Sequence, residues 1–194
     1  MTAPWSLNEI EALAKKAARG IGYSWGIAED AGRAVRWLEA RGLPGAKALE
    51  SLAEARITKG SPECTLTIGC ALSDGVFDTE VGSFGQLTSP ILLIPFAAWV
   101  AERRQLGLAV HIDENVVRLS ADGELLDGAI ASPKTGLVTV ESHDIDDQTV
   151  TPGHRAFVDC DTIVALEAMA HKTYAPATAA SREAGAGAGL TDND

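Results

Sequence analysis

The chain has 194 residues, 46% of them hydrophobic and 22% charged, with a formal net charge of -11 and a sequence pI near 4.7. An acidic balance without any basic stripe repels phosphate backbones and anionic bilayers, so neither nucleic acid nor a membrane surface is an expected partner. The length suffices for one domain with a real core, and no apolar run approaches the roughly 20 residues needed to span a bilayer. The three cysteines, Cys64, Cys70 and Cys160, form no CxxC pair. With no visible secretory leader, they point to a reducing, cytoplasmic setting.

The first sixty residues read as three helices. Ser6 and Glu9 form a capping box ahead of Leu7, Ile10, Leu13, Ala14 and Ala17, which repeat at helical spacing until Gly20. A second helix places Ile27, Ala31, Ala34, Val35 and Leu38 on one face, has Glu29 and Asp30 in its first turn, and stops at Gly42. Pro44 opens a third, with Leu49, Leu52 and Ala53 facing inward and Gly60 ending it. The inward set is Leu7, Ile10, Leu13, Val35, Leu38, Leu49 and Leu52.

From residue 62 the period changes. Residues 64–68 alternate as a half-buried strand does, and residues 73–89, with three glycines, read as a long loop. Residues 91–94 begin either a strand or a helix, with Pro95 obscuring the junction; residues 96–104 are helical, with Phe96, Trp99 and Val100 on one side. Short β-branched runs at 106–112, 116–120, 137–141 and 156–158, parted by turn signals, predict an antiparallel meander. A last helix, 162–172, is capped by Asp161. The fold class is α+β: an N-terminal three-helix layer (1–60) on an antiparallel meander with helices (61–173), then a glycine-rich tail (174–194), all one domain.

Site-type residues concentrate in that tail. Tyr174, Ser181, Arg182, then Gly185, Gly187 and Gly189 in strict alternation, then Asp192, supply a phenol, a hydroxyl, a guanidinium, backbone amides and a carboxylate. Alternate glycines let amide N–H groups converge on an anion, whereas a small-residue tail can equally be a solvated end. His171 leads into Tyr174 and shares a helix face with Glu167, as a surface pair or an oriented imidazole. Ser24 and Trp25 precede a helix N-terminus, where free N–H groups hold an anionic or planar ligand, unless Tyr23 and Trp25 only staple the corner and Ser24 only caps. His143, Asp144, Asp146, Asp147 and His154 do not match zinc spacing and read as a hairpin loop, so no metal ligand is assigned. The cysteines lack basic neighbours and are not nominated as nucleophiles; GxSxG and P-loop signatures are absent, and no cofactor is assigned.

Two stretches, residues 8–13 running through Ala17-Ala18-Arg19-Gly20 to Trp25-Gly26, and 174–194, resemble an uncharacterised bacterial family of about this length, a domain of unknown function. The resemblance implies a bacterial cytoplasmic protein and transfers no reaction. Two functions follow from the residues. One is an enzyme or enzyme subunit acting on a small polar, anionic metabolite, with His171 and Tyr174 catalytic and Ser24, Trp25, Ser181, Arg182, Gly185, Gly187, Gly189 and Asp192 binding substrate. The other is a non-catalytic subunit or interaction module whose tail docks into a partner, as a homo-oligomer or hetero-subunit.

Overall fold

The computed structural model describes residues 1–55, 63–77, 81–128, 130–143 and 149–174. The elements are β1 (Thr2–Ser6), α1 (Leu7–Gly20), α2 (Trp25–Ala40), α3 (Gly45–Glu54), α4 (Thr65–Ser73), β2 (Gly82–Thr88), a 3-10 turn (Pro90–Leu93), α5 (Ile94–Arg104), β3 (Leu108–Ile112), β4 (Asn115–Leu119), β5 (Leu125–Asp127), β6 (Thr135–Ser142), β7 (Arg155–Asp159) and α6 (Cys160–His171). The architecture is α+β.

Helix α1 begins where the sequence places it. The Ser6 hydroxyl accepts from the Glu9 amide at 3.2 Å while the Glu9 carboxylate accepts from the Ser6 amide at 3.0 Å. This reciprocal bond holds the Glu9 carboxyl below its ordinary range. Helix α2 ends at Ala40 with Arg41 as C-cap, and Gly42 just beyond it has a φ of +72°, the left-handed geometry that glycine adopts freely after a helix. Pro44 is the N-cap of α3 rather than its first helical residue and offers no side-chain acceptor. Glu39, near the end of α2, takes over: its carboxyl accepts from the Ala46 amide at 2.9 Å. Burial outweighs that bond and pushes the Glu39 carboxyl up to about 7. Of the inward set, Ile10, Val35, Leu38, Leu49 and Leu52 are buried, while Leu7 and Leu13 are half-buried at the core's edge.

Five strands form one antiparallel sheet in the order β2-β6-β3-β4-β5. The turn and α5 behind it are its floor. Residues 90–98 are all buried, and this segment lies between the sheet and helices α2 and α3. The sequence expectation fails at four places here. Residues 64–68 are not a strand, because α4 buries Thr65, Leu66, Gly69 and Leu72 at helical spacing. A Cβ on Gly69 would overlap the Phe96 ring, so that packing requires the glycine. Residues 73–89 are not all loop: β2 pairs with β6 through a bulge between Ser83 and Gly85, and buries Leu87 and Thr88. Strand β7 leaves the meander and pairs instead with β1, which carries no alternation in its sequence.

The fourth correction concerns helix starts. Helix α6 begins at Cys160 with Asp159, not Asp161, as N-cap. The Asp159 carboxylate accepts from the Met1 amine at 3.2 Å, so it holds β1 to β7 rather than capping. Helix α2 starts early enough to put Glu29 and Asp30 beyond its first turn; they pair with Lys15 at 2.5 Å and Arg33 at 3.4 Å. The expected stop at Gly60 lies outside the described residues.

Candidate functional site

Close approach of α1 and α6 builds the site. A Cβ on Gly20 would overlap the Met169 carbonyl oxygen, so only glycine lets these helices meet there. Beyond that contact α6 unwinds in a turn: the Thr173 hydroxyl donates to the Ala170 carbonyl at 2.7 Å and the Tyr174 amide to that of His171 at 3.1 Å. Lys172, Thr173 and Tyr174 are thereby set beside α1, where Ala12, Lys15, Lys16 and Arg19 recur at i, i+3, i+4 and i+7 along one stripe. Trp25, the first residue of α2, closes the third side.

The result is a cleft of about 650 Å³ walled by Lys15, Lys16, Arg19 and Lys172 and flanked by two aromatic rings. Trp25 is 62% exposed and Tyr174 55%, unusually bare for such large rings. The Arg19 guanidinium stacks on the Trp25 indole with its carbon 4.5 Å from the ring centroid. Its Nη1 donates to the Tyr23 carbonyl, while its Nε has no acceptor among the described residues. The Lys16 ammonium lies 5.9 Å over the Tyr174 ring. Lys15 is neutralised by Glu29, but Lys16, Arg19 and Lys172 have no carboxylate partner among the described residues. A second hollow of about 410 Å³ adjoins, sharing Ala12, Lys16 and Tyr174, and carries His171 and Glu167. The His171 and Tyr174 rings meet edge-on, with centroids 5.3 Å apart.

The residues singled out in sequence divide three ways. Trp25, His171 and Tyr174 come together around these two hollows. Ser24 does not line them; its hydroxyl accepts from the Ile27 amide at 3.4 Å and caps α2. Ser181, Arg182, Gly185, Gly187, Gly189 and Asp192 lie outside the described residues. Tyr23 is the staple, buried with its hydroxyl 3.2 Å from the Cys64 thiol, and burial pushes its phenol up. Trp25 is no staple. Cys70 is equally unsuited to nucleophilic work, since burial and Asp30 push its thiol up to about 12. Sequence reasoning missed Lys15, Lys16, Arg19 and Lys172. The first three stand on one helix face, a basic stripe whose rarity in an acidic chain was the available signal.

No group of three or more His, Cys, Asp or Glu side chains among the described residues is arranged so that it could hold a metal ion; Asp144, Asp146 and Asp147 lie outside them. Nor is any helix among the described residues long and apolar enough to cross a membrane.

Residues 5–85 match the family described as "Protein of unknown function (DUF3726)". The match takes in α1, α2 and the Trp25 wall of the cleft, in line with the uncharacterised family the sequence resembles. No curated protein and no solved structure matches the chain.

Proposed function

We propose that this protein binds a small anionic metabolite with a flat, apolar portion in the cleft between α1, the start of α2 and the end of α6, and acts on it as an enzyme or enzyme subunit. One observation carries the reading. In a chain of net charge -11, three cations line one cleft without a carboxylate partner among the described residues, between two exposed rings. Clustered like charges cost free energy unless an anion joins them, and the rings offer stacking surface that solvent does not reward. Lys16 and Lys172 would hold the anionic group, Arg19 would hold its geometry through the Trp25 stack, and Trp25 and Tyr174 would cover the flat portion. His171, against the Tyr174 ring, would move a proton between that cleft and the adjoining hollow.

A thermal-shift screen of small aromatic carboxylates and phosphates tests this, since a ligand selective for the folded state must raise its stability. Replacing Lys16 and Lys172 together by Glu is expected to weaken a stabilising compound about 100-fold, from lost attraction and added repulsion. An unchanged affinity would sink the proposal. Deleting residues 183–194, expected to weaken the same compound, tests the glycine-rich tail. His171→Gln separates binding from turnover: affinity should hold while any conversion of the compound falls.

A further inference from the structure

A different stripe of α2 carries a cavity that the reading above does not use. Arg33, Arg36, Trp37 and Arg41 recur at i, i+3, i+4 and i+8, so three guanidinium groups and an indole fall on one side of the helix and its C-cap. Over them lies a cavity of about 400 Å³, bounded also by Glu11 of α1 and Trp99 of α5. The Arg33 guanidinium stacks on the Trp99 indole at 4.7 Å and that of Arg41 on the Trp37 indole at 4.0 Å. Stacking occupies the faces of these planar groups and leaves their in-plane N–H groups for acceptors.

Each arginine is held by a carboxylate and none is used up by it. Arg36 donates to Glu11 at 2.8 Å, Arg33 to Asp30 at 3.4 Å, and Arg41 to Glu124. A guanidinium has five N–H donors, so each keeps several beyond its partner. Arg41 is the sharpest case: its side chain is only 7% exposed, yet its Nε has no acceptor among the described residues. A buried donor without an acceptor is costly, and an oxyanion would supply the acceptor. Of the partner carboxylates, only Glu11 lines the cavity.

The geometry points to a phosphate-binding site formed by Arg33, Arg36 and Arg41 against Trp37 and Trp99, separate from the lysine-lined cleft. A tetrahedral phosphate presents its oxygens in several directions, enough to give each of three guanidinium groups its own, where a carboxylate has two coplanar oxygens that suit a single guanidinium fork best. The cavity is larger than a free phosphate, so the natural occupant is a phosphate monoester with a small organic part.

Titrating inorganic phosphate into the full chain at constant ionic strength, while following the indole N–H resonances of its four tryptophans, tests the assignment. Trp37 and Trp99 should shift saturably, and Trp5 and Trp25 much less. Arg36→Gln should weaken the response about tenfold, the usual scale for one charge-assisted hydrogen bond. Arg33→Gln should do the same and decides the matter where Arg36→Gln disturbs the dispersed spectrum. Lys16→Glu should leave the response unchanged, and acetate should bind about tenfold more weakly than phosphate. The proposal is overturned by a non-saturable response, by equal shifts at Trp5, by parental affinity in both arginine variants, or by equal affinity for acetate.

Discussion

The two basic cavities both draw on α1 and α2 and are built by opposite means. In the first, Lys15 is paired with Glu29, but Lys16, Arg19 and Lys172 have no carboxylate partner among the described residues and stand beside exposed aromatic rings, so their positive potential comes from keeping acids away. In the second, every arginine has its own carboxylate and one is almost wholly buried, so the positive groups are fixed in place before any anion arrives. An acidic protein thus has two ways to present positive charge. Excluding acids gives a strong but screenable attraction; pairing arginines gives a weaker field and better-defined donors.

The comparison breaks hardest at Gly20. Gly20→Ala places a methyl group against the Met169 carbonyl, so α6 must move off α1. The expected cost is about 3 kcal/mol, at the upper end for overpacking, read from urea denaturation. Lys172 and Tyr174 move with α6, so the lysine-lined cleft should lose its anion affinity. The arginine cavity contains no residue of α6 and should keep its phosphate response in the folded variant. Retained affinity in the first cleft would show that α6 is not its working wall.

Glu39 supplies the next largest effect, because it is a buried carboxyl with no cation partner among the described residues, the reverse of Arg41 with its Glu124. Its folded pKa, near 7, lies above the ordinary value of 4.5. The folded state therefore binds the proton more tightly than the unfolded chain. Stability from this group is present below about pH 4.5 and is lost as pH rises through about 7, by about 3 kcal/mol in all. Glu39→Gln keeps an acceptor for the Ala46 amide and removes the charge. The variant should match the parent near pH 4.5 and exceed it by about that amount near pH 8 in urea melts. A parallel offset at both pH values would mean that Glu39 does not titrate in this range.

Salt should sharpen the contrast. Raising sodium chloride from about 0.05 to 0.5 M shortens the Debye length to well below the width of either cavity. Anion affinity in the lysine-lined cleft should fall about tenfold, and in the arginine cavity by less than half of that on a logarithmic scale. Equal slopes would erase the distinction. The smallest effect belongs to Ser24→Ala. Loss of this cap should cost about 0.5–1 kcal/mol and leave ligand affinity unchanged. A selective loss of affinity would return Ser24 to the binding site.

Legibility in the sequence tracked the range over which each element is specified. Helices α1 and α2 announce themselves through local signals, the Ser6–Glu9 box and Gly42, and their buried faces follow from period alone. Strands β1 and β2 do not. One holds Pro4 opposite Phe157 and the other holds two glycines, Gly82 and Gly85, and both exist because a distant partner supplies the ladder. Helix α4 misled through the opposite fault: accidental alternation from its N-cap Cys64 to Ile68, in a helix whose buried face includes Gly69. Trp25, His171 and Tyr174 drew attention as residue types, but the cations between them did not. Lysines read as solubilising until α6 is seen to close over them. The α2 arginine stripe escaped for the same reason, since nothing local reveals that Trp99 returns to cover it.

The pairing of β1 with β7, and of α1 with α6, governs the order in which the chain can assemble. Residues 2–20 are synthesised well before their partners at 155–171; at ribosomal rates the interval is on the order of ten seconds. Throughout it, the buried α6-facing side of α1 is bare, and β2 also waits for β6. The family-matched stretch, 5–85, ends inside β2 and contains neither partner. Excised, it would carry an unpaired edge and an open apolar helix face, and should be recovered as aggregate. The lysine-lined cleft, which takes walls from both ends of this interval, exists only once these distant segments have met.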